Sequence, residues 1–111
     1  MNAYEIPNLR FSLPAGGDVA RHRFVSVNAD SNGVQATAAT QILGASMNQA
    51  KAGEVLEIAN GIVMVEAGAS VTAGSLAYTN AEGKVAAEGT VVAGVVITSA
   101  TAGGLAAVKI N

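Results

Sequence analysis

The stretch GVQATAATQILGASMNQAKAG, residues 33–53, decides how this chain reads, because GKVAAEGTVVAGVVITSATAG, residues 83–103, echoes it. At a shift of fifty positions Gly33, Ala36, Thr40, Gly44, Ala50, Ala52 and Gly53 fall on Gly83, Ala86, Thr90, Gly94, Ala100, Ala102 and Gly103. Apolar positions follow: Ile42 meets Val92, Met47 meets Ile97, Val55 meets Leu105 and Ile58 meets Val108. Upstream the shift grows by two residues, so that Ala15-Gly16-Gly17-Asp18-Val19 echoes Ala67-Gly68-Ala69-Ser70-Val71, and Phe24 echoes Leu76. Scattered identities are expected by chance in so Ala- and Gly-rich a chain. The preserved order of turn glycine, apolar run, Ala-x-Ala-Gly and apolar run is not. The pattern predicts a duplicated domain over residues 15–111, with halves at 15–60 and 67–111. Gly33 is expected to match Gly83, and Gly53 to match Gly103, in equivalent turns.

Between the glycines the chain alternates as short strands do. His22–Asn28 reads as a half-buried strand, Asp30–Gly33 as a turn capped by Asp30, and Val34–Thr37 as the return strand. Gln41–Met47, Glu54–Ala59 and Ile62–Val65 are further strands, the last rich in branched side chains. The second half repeats the series at Ser75–Thr79, Lys84–Ala87, Val91–Thr98 and Leu105–Ile110. No stretch holds a long helical period, and closely spaced Gly turns between short strands predict an all-β barrel or sandwich.

Residues 1–14 stand apart. Tyr4, Ile6, Leu9, Phe11 and Leu13 give this leader most of its bulk, and Leu9 to Leu13 alternate as an extended segment does. Two readings stay open: a first strand folded onto its own domain, or an N-terminal arm that packs on a neighbouring subunit or partner.

Composition narrows the function. The chain has 111 residues and 50% apolar residues, but only 4% aromatics, so much of the apolar fraction is alanine and the core is thin. Thin cores are often completed by oligomerisation. The formal net charge is −2, with neither a basic stripe nor an aromatic stacking platform, so nucleic acid is not an expected partner. Cysteine is absent, which removes disulfides and thiol chemistry. No membrane-length apolar run and no signal-like N-terminus are present, so synthesis in the cytosol without membrane attachment is expected.

Chemistry is sparse. His22, the one histidine, lies between Arg21 and Arg23, with no acid next to it in sequence. A Ser-His-Asp arrangement would need Asp18 or Asp30 beside it, and the spacing supports neither. Asn28–Ala39 superficially matches a calcium loop, but the first position is Asn and the twelfth is Ala. Gly16-Gly17 and Gly103-Gly104 lack the Lys-Ser/Thr of a phosphate cradle. No catalytic residue, cofactor site or metal site is assigned.

The segments Val25–Thr37, Ile42–Ala45, Ala50–Val55, Gly61–Gly68 and Val71–Leu76 resemble the capsid decoration (cement) proteins of tailed bacteriophages. The Gly-turn hairpin followed by a branched strand is also similar to the head decoration proteins of lambdoid phages. The resemblance covers about residues 15–111. It implies a small β-tulip or β-clip-like barrel with an extended N-terminal arm. It implies a structural virion protein on the outer surface of the capsid, clamping neighbouring subunits of the major capsid protein and acting as a homotrimer. The family's N-terminal segment reaches the shell, so Tyr4, Ile6, Leu9, Phe11 and Leu13 are candidates for the capsid or subunit interface. The alternative is a β-clip-type binding module for a carbohydrate or another protein, which would draw on Tyr4, Phe11, Phe24 and Tyr78. A small enzyme would need a constellation that the sequence lacks.

Overall fold

A computed structural model describes residues 5–110, with residues 6–8 described by their backbone alone. It contains nine strands: β1 (Ile6–Pro14), β2 (Phe24–Val27), β3 (Gly33–Gln35), β4 (Gly44–Ser46), β5 (Val55–Glu66), β6 (Leu76–Thr79), β7 (Val85–Ala86), β8 (Val92–Val96) and β9 (Leu105–Ile110). All belong to one antiparallel sheet in the order β3-β2-β4-β5-β9-β8-β6-β7, with β1 on the free edge of β5. The sheet curls into an open half-barrel, and the all-β expectation holds. The curl brings the β6–β7 turn back onto β2, where the Phe24 amide donates to the Gly83 carbonyl at 2.7 Å.

The strand order is a palindrome of the two halves: β3-β2-β4-β5 mirrors β7-β6-β8-β9. Registers make the duplication explicit. Val19 bridges Ala50 as Val71 bridges Ala100, and Ala15 bridges Gly33 as Ala67 bridges Val85. Phe24 pairs with Ala45 as Leu76 pairs with Val95. Single hydrogen bonds repeat as well. The Asn28 side-chain oxygen accepts from the amides of Asp30 and Asn32, and that of Asn80 accepts from Glu82 and Lys84. Where Asn48 accepts from the Glu57 amide, Thr98 accepts from Ala107, a different side chain in the same task.

The leader is resolved by the same registers. Leu13 pairs with Leu56, Phe11 with Ile58 and Arg10 with Ala59. In the second half Val65 pairs with Ala106, Val63 with Val108 and Ile62 with Lys109. Residues 10–14 of β1 therefore correspond to residues 62–66 of β5. The extended segment is a strand on its own domain, and the first copy already begins inside it, upstream of the expected residue 15. β5 is long because it ends one copy and begins the next, passing through Asn60-Gly61 where two separate strands were expected.

One part of the expected alignment is corrected. The shift of fifty-two residues persists through β3, since the partners of Ala15 and Ala67 are Gly33 and Val85. Gly33 therefore matches Val85 and not Gly83, and Ala36 does not match Ala86. The two-residue difference lies in the loop before β4, after which the shift is fifty. The counterpart of Gly83 is Ser31: both sit at positive φ (74° and 64°) in the turn closed by Asn80 or Asn28. Asn28, not Asp30, caps that turn. Gly53 and Gly103 do match, at φ 84° and 87°, each donating to the Ala15 or Ala67 carbonyl. His22 lies in a turn at φ 62° rather than in a strand, and Gly74, at the corresponding position of the second copy, has φ 89°.

Two apolar clusters form the interior. The smaller holds Val19, Val25, Leu56 and Ile58 of the first copy, with Phe11, Leu13 and Leu43 packed against it. The larger joins the copies: Phe24, Ala45 and Ala59 of the first pack with Val63, Val65, Ala77 and Val108 of the second. The first copy is thus buried on both faces of its strands, which alternate as β geometry requires.

Candidate binding surfaces

The leader supplies one candidate surface. On β1 the side chains of Leu9, Phe11 and Leu13 share a face, because they alternate along the strand. Leu9 is 54% exposed, whereas Phe11 and Leu13 are half-buried against Leu56 and Ile58. Ile6 pairs through its backbone with Ile62, and Tyr4 lies outside the described residues. The structure therefore gathers three of the five predicted interface residues on one partly open apolar face, with Leu43 beside them.

A second surface escaped the sequence reading. Leu76 on β6 is 49% exposed and Val92 on β8 39% exposed, although Phe24 and Ile42, their counterparts, are fully buried or packed into the larger cluster. The signal was present in the Phe24–Leu76 and Ile42–Val92 echoes. It needed the fold to show that one member of each pair is covered and the other is not.

Two clefts also correspond. One, of about 230 Å³, is lined by Asp18, Val19, Arg23, Gln49, Ala50 and Lys51. The other, of about 520 Å³, is lined by Ser70, Val71, Ser99, Ala100, Thr101 and Leu105. They flank the equivalent Val19–Ala50 and Val71–Ala100 bridges, so they are one feature of the repeat clothed in charges in the first copy and in hydroxyls in the second.

Charge concentrates where the copies meet. The Glu66 carboxylate accepts from Arg23 Nη2 at 3.3 Å and lies 3.2 Å from Lys84 Nζ. The Lys84 hydrogen bond holds the Glu66 carboxyl below its usual range; partial burial works the other way, and Arg23 adds to the lowering. Nearby, the amide of His22 donates to the Ser46 carbonyl, and its own carbonyl accepts from the Glu66 amide. His22 thus fixes a turn through its backbone. Among the described residues no three His, Cys, Asp or Glu side chains gather as a metal site would require.

The phage cement protein family matches this sequence over residues 5–110. The chain belongs to the phage cement protein family. No curated protein matches it in sequence. Among solved structures, the N base of the head fiber gp8.5 of bacteriophage phi29 is similar at TM-score 0.76 and 18% identity, covering 93% of each chain. That likeness extends the shared fold across nearly the whole chain. Membership assigns a structural role on the phage capsid, in agreement with the resemblance seen in the sequence. A non-enzymatic protein is consistent with it.

Proposed function

We propose that this protein binds the outer surface of the mature phage capsid and stabilises it by clamping neighbouring subunits of the major capsid protein, as a homotrimer. Membership of the cement family over residues 5–110 carries the reading. Two features of the molecule support it. The chain leaves several large apolar side chains exposed on a body of only 111 residues, as proteins that associate do. Its aromatic side chains do not form a sugar-binding platform among the described residues: Phe24 is fully buried, and Phe11 and Tyr78 are partly covered. Among the described residues the carbohydrate-module alternative therefore has no observation in its favour.

The deciding experiment is addition of the purified protein to expanded shells of its own phage that lack it. The protein is expected to co-sediment to saturation at a fixed ratio to the major capsid protein and to raise the temperature at which shells open. Shells that neither retain it nor gain heat resistance would sink the proposal.

A further inference from the structure

We infer that copies of this chain join head to tail, the outer face of the second repeat in one copy covering the half-open apolar face of the first repeat in the next. The partner is a second copy of this chain, and the contact continues between molecules the interface that already joins the two repeats within one.

The internal interface has two halves. On the first repeat it is the face bearing Phe24, Ala45 and Ala59, all fully buried, with Ile42 and Met47 packed alongside. On the second repeat it is the face bearing Val63 and Val65, fully buried, and Ala93. The register gives each half an unused counterpart. Leu76, Val92, Val95, Ile97 and Lys109 stand where Phe24, Ile42, Ala45, Met47 and Ala59 stand in the first repeat, and none of the five is buried. Phe11, Leu13 and Leu43 stand where Val63, Val65 and Ala93 stand in the second, and all three are only half-buried, with Leu9 open beside them. One end of the molecule therefore repeats the covering surface and the other repeats the covered one. Each is apolar where its counterpart is core, apart from Lys109.

Because the two surfaces differ, their pairing is heterologous: successive copies are related by a rotation that closes a ring or runs on as a filament. A ring fits the homotrimer proposed above. The inference rests on that oligomeric reading but requires no shell. The ionic cluster of Arg23, Glu66 and Lys84 is not repeated at the new contact, since the residues at the corresponding positions are Ser75, Pro14 and Asn32. The joint between molecules is therefore mainly apolar, and its strength is expected to depend little on salt.

The test uses the full chain in solution. Light scattering from micromolar to near-millimolar concentration is expected to give the mass of a small closed oligomer, insensitive to added salt. Leu76→Glu places a charge on an already exposed position. It is expected to keep the circular dichroism of the fold while the mass falls to that of one chain, its thermal midpoint matching that of wild type only at dilutions where wild type is itself dissociated. The chain has no cysteine of its own, so Leu9→Cys and Val92→Cys can be coupled with a short bis-maleimide. Chains carrying the first are expected to couple to chains carrying the second, and neither to itself. A wild-type monomer at every concentration, an undiminished mass for Leu76→Glu, or Leu9→Cys coupling only to itself would overturn the inference. An intact oligomer that ignores shells would instead defeat the functional proposal and leave this one standing.

Discussion

At the scale of single residues, the duplication reveals which side chains are tolerated and which are required. Ser31 and Gly83 occupy the same left-handed turn position, but only Gly83 is also pressed against the first copy. A Cβ there would lie 3.1 Å from the Phe24 carbonyl oxygen and 3.2 Å from that of Ala36. Gly83→Ala is expected to cost about 1–3 kcal/mol, from the left-handed backbone together with crowding. Ser31→Gly, in an exposed turn, is expected to gain about 1 kcal/mol by relieving the same backbone strain. Denaturant midpoints of the two variants, moving in opposite directions, check this. Glu66 gives a pH-dependent counterpart. Its folded-state pKa is depressed by Lys84 and Arg23, so the unfolded chain binds the proton more tightly. The stabilisation is then present above the ordinary value of 4.5 and lost as pH falls below it through the folded value. Glu66→Gln is expected to lower stability by roughly 1 kcal/mol near neutrality. That deficit should close in acid, where the wild-type carboxyl is also protonated. Parallel melting curves from neutral to acid pH, if the two proteins stay equally far apart throughout, would show that the ion cluster is not the cause.

At the scale of elements, β1 shows what a sequence reveals and what it hides. Its alternation was legible, and so were nine other runs of strand, two of which the fold joins into β5, because the turn residues between them are Gly, Asn and Ser with a local conformational reason to be there. What β1 packs against was not legible. Its counterpart is the second half of β5, Ile62–Glu66, whose Ile-Val-Met-Val-Glu shares no identity with the Arg-Phe-Ser-Leu-Pro of residues 10–14. Backbone pairing keeps the equivalence while side-chain identity has drifted. The Gly33–Gly83 mismatch has the same origin. Positive φ can be met by Gly or, with strain, by Ser, so the glycine pattern marks a turn without fixing its register. The apolar faces now identified at Leu76 and Val92 were visible only as hydrophobic echoes. Whether such a residue is core or surface depends on which copy has a neighbour. The pairing of β1 makes its own prediction. Phe11 and Leu13 cover Leu56 and Ile58, and burying side chains of this size is worth about 1.5–3 kcal/mol each. Deleting residues 1–13 would strip that cover and the whole edge ladder of β5. The truncated chain is expected to lose the near-native far-UV spectrum and to precipitate or melt below 37 °C. A truncated chain that keeps the parent's midpoint would mean that β1 adds nothing to the fold.

At the scale of the whole molecule, the question is whether two copies make two folding units or one. The answer follows from where the clusters lie. The larger cluster draws Phe24, Ala45 and Ala59 from the first repeat and Val63, Val65 and Val108 from the second. The backbone crosses the same boundary, at Phe24 to Gly83 and Glu66 to His22. β5 belongs to both copies without interruption. Neither repeat can bury its share of this cluster alone: the second would expose the face that the first covers, and the first would expose Phe24. Cooperative unfolding in one step is the expectation for so small a shared core. Calorimetry of the full chain should give equal van't Hoff and calorimetric enthalpies per cooperative unit, referred to the oligomer where one is present. A fragment spanning residues 62–110 should be unfolded by itself and regain strand structure on mixing with residues 5–61, because the interface that it lacks is supplied by the other half. Two resolved transitions, or a second-repeat fragment that melts cooperatively alone, would show instead that each copy is a domain in its own right and that the larger cluster is a docking surface between them.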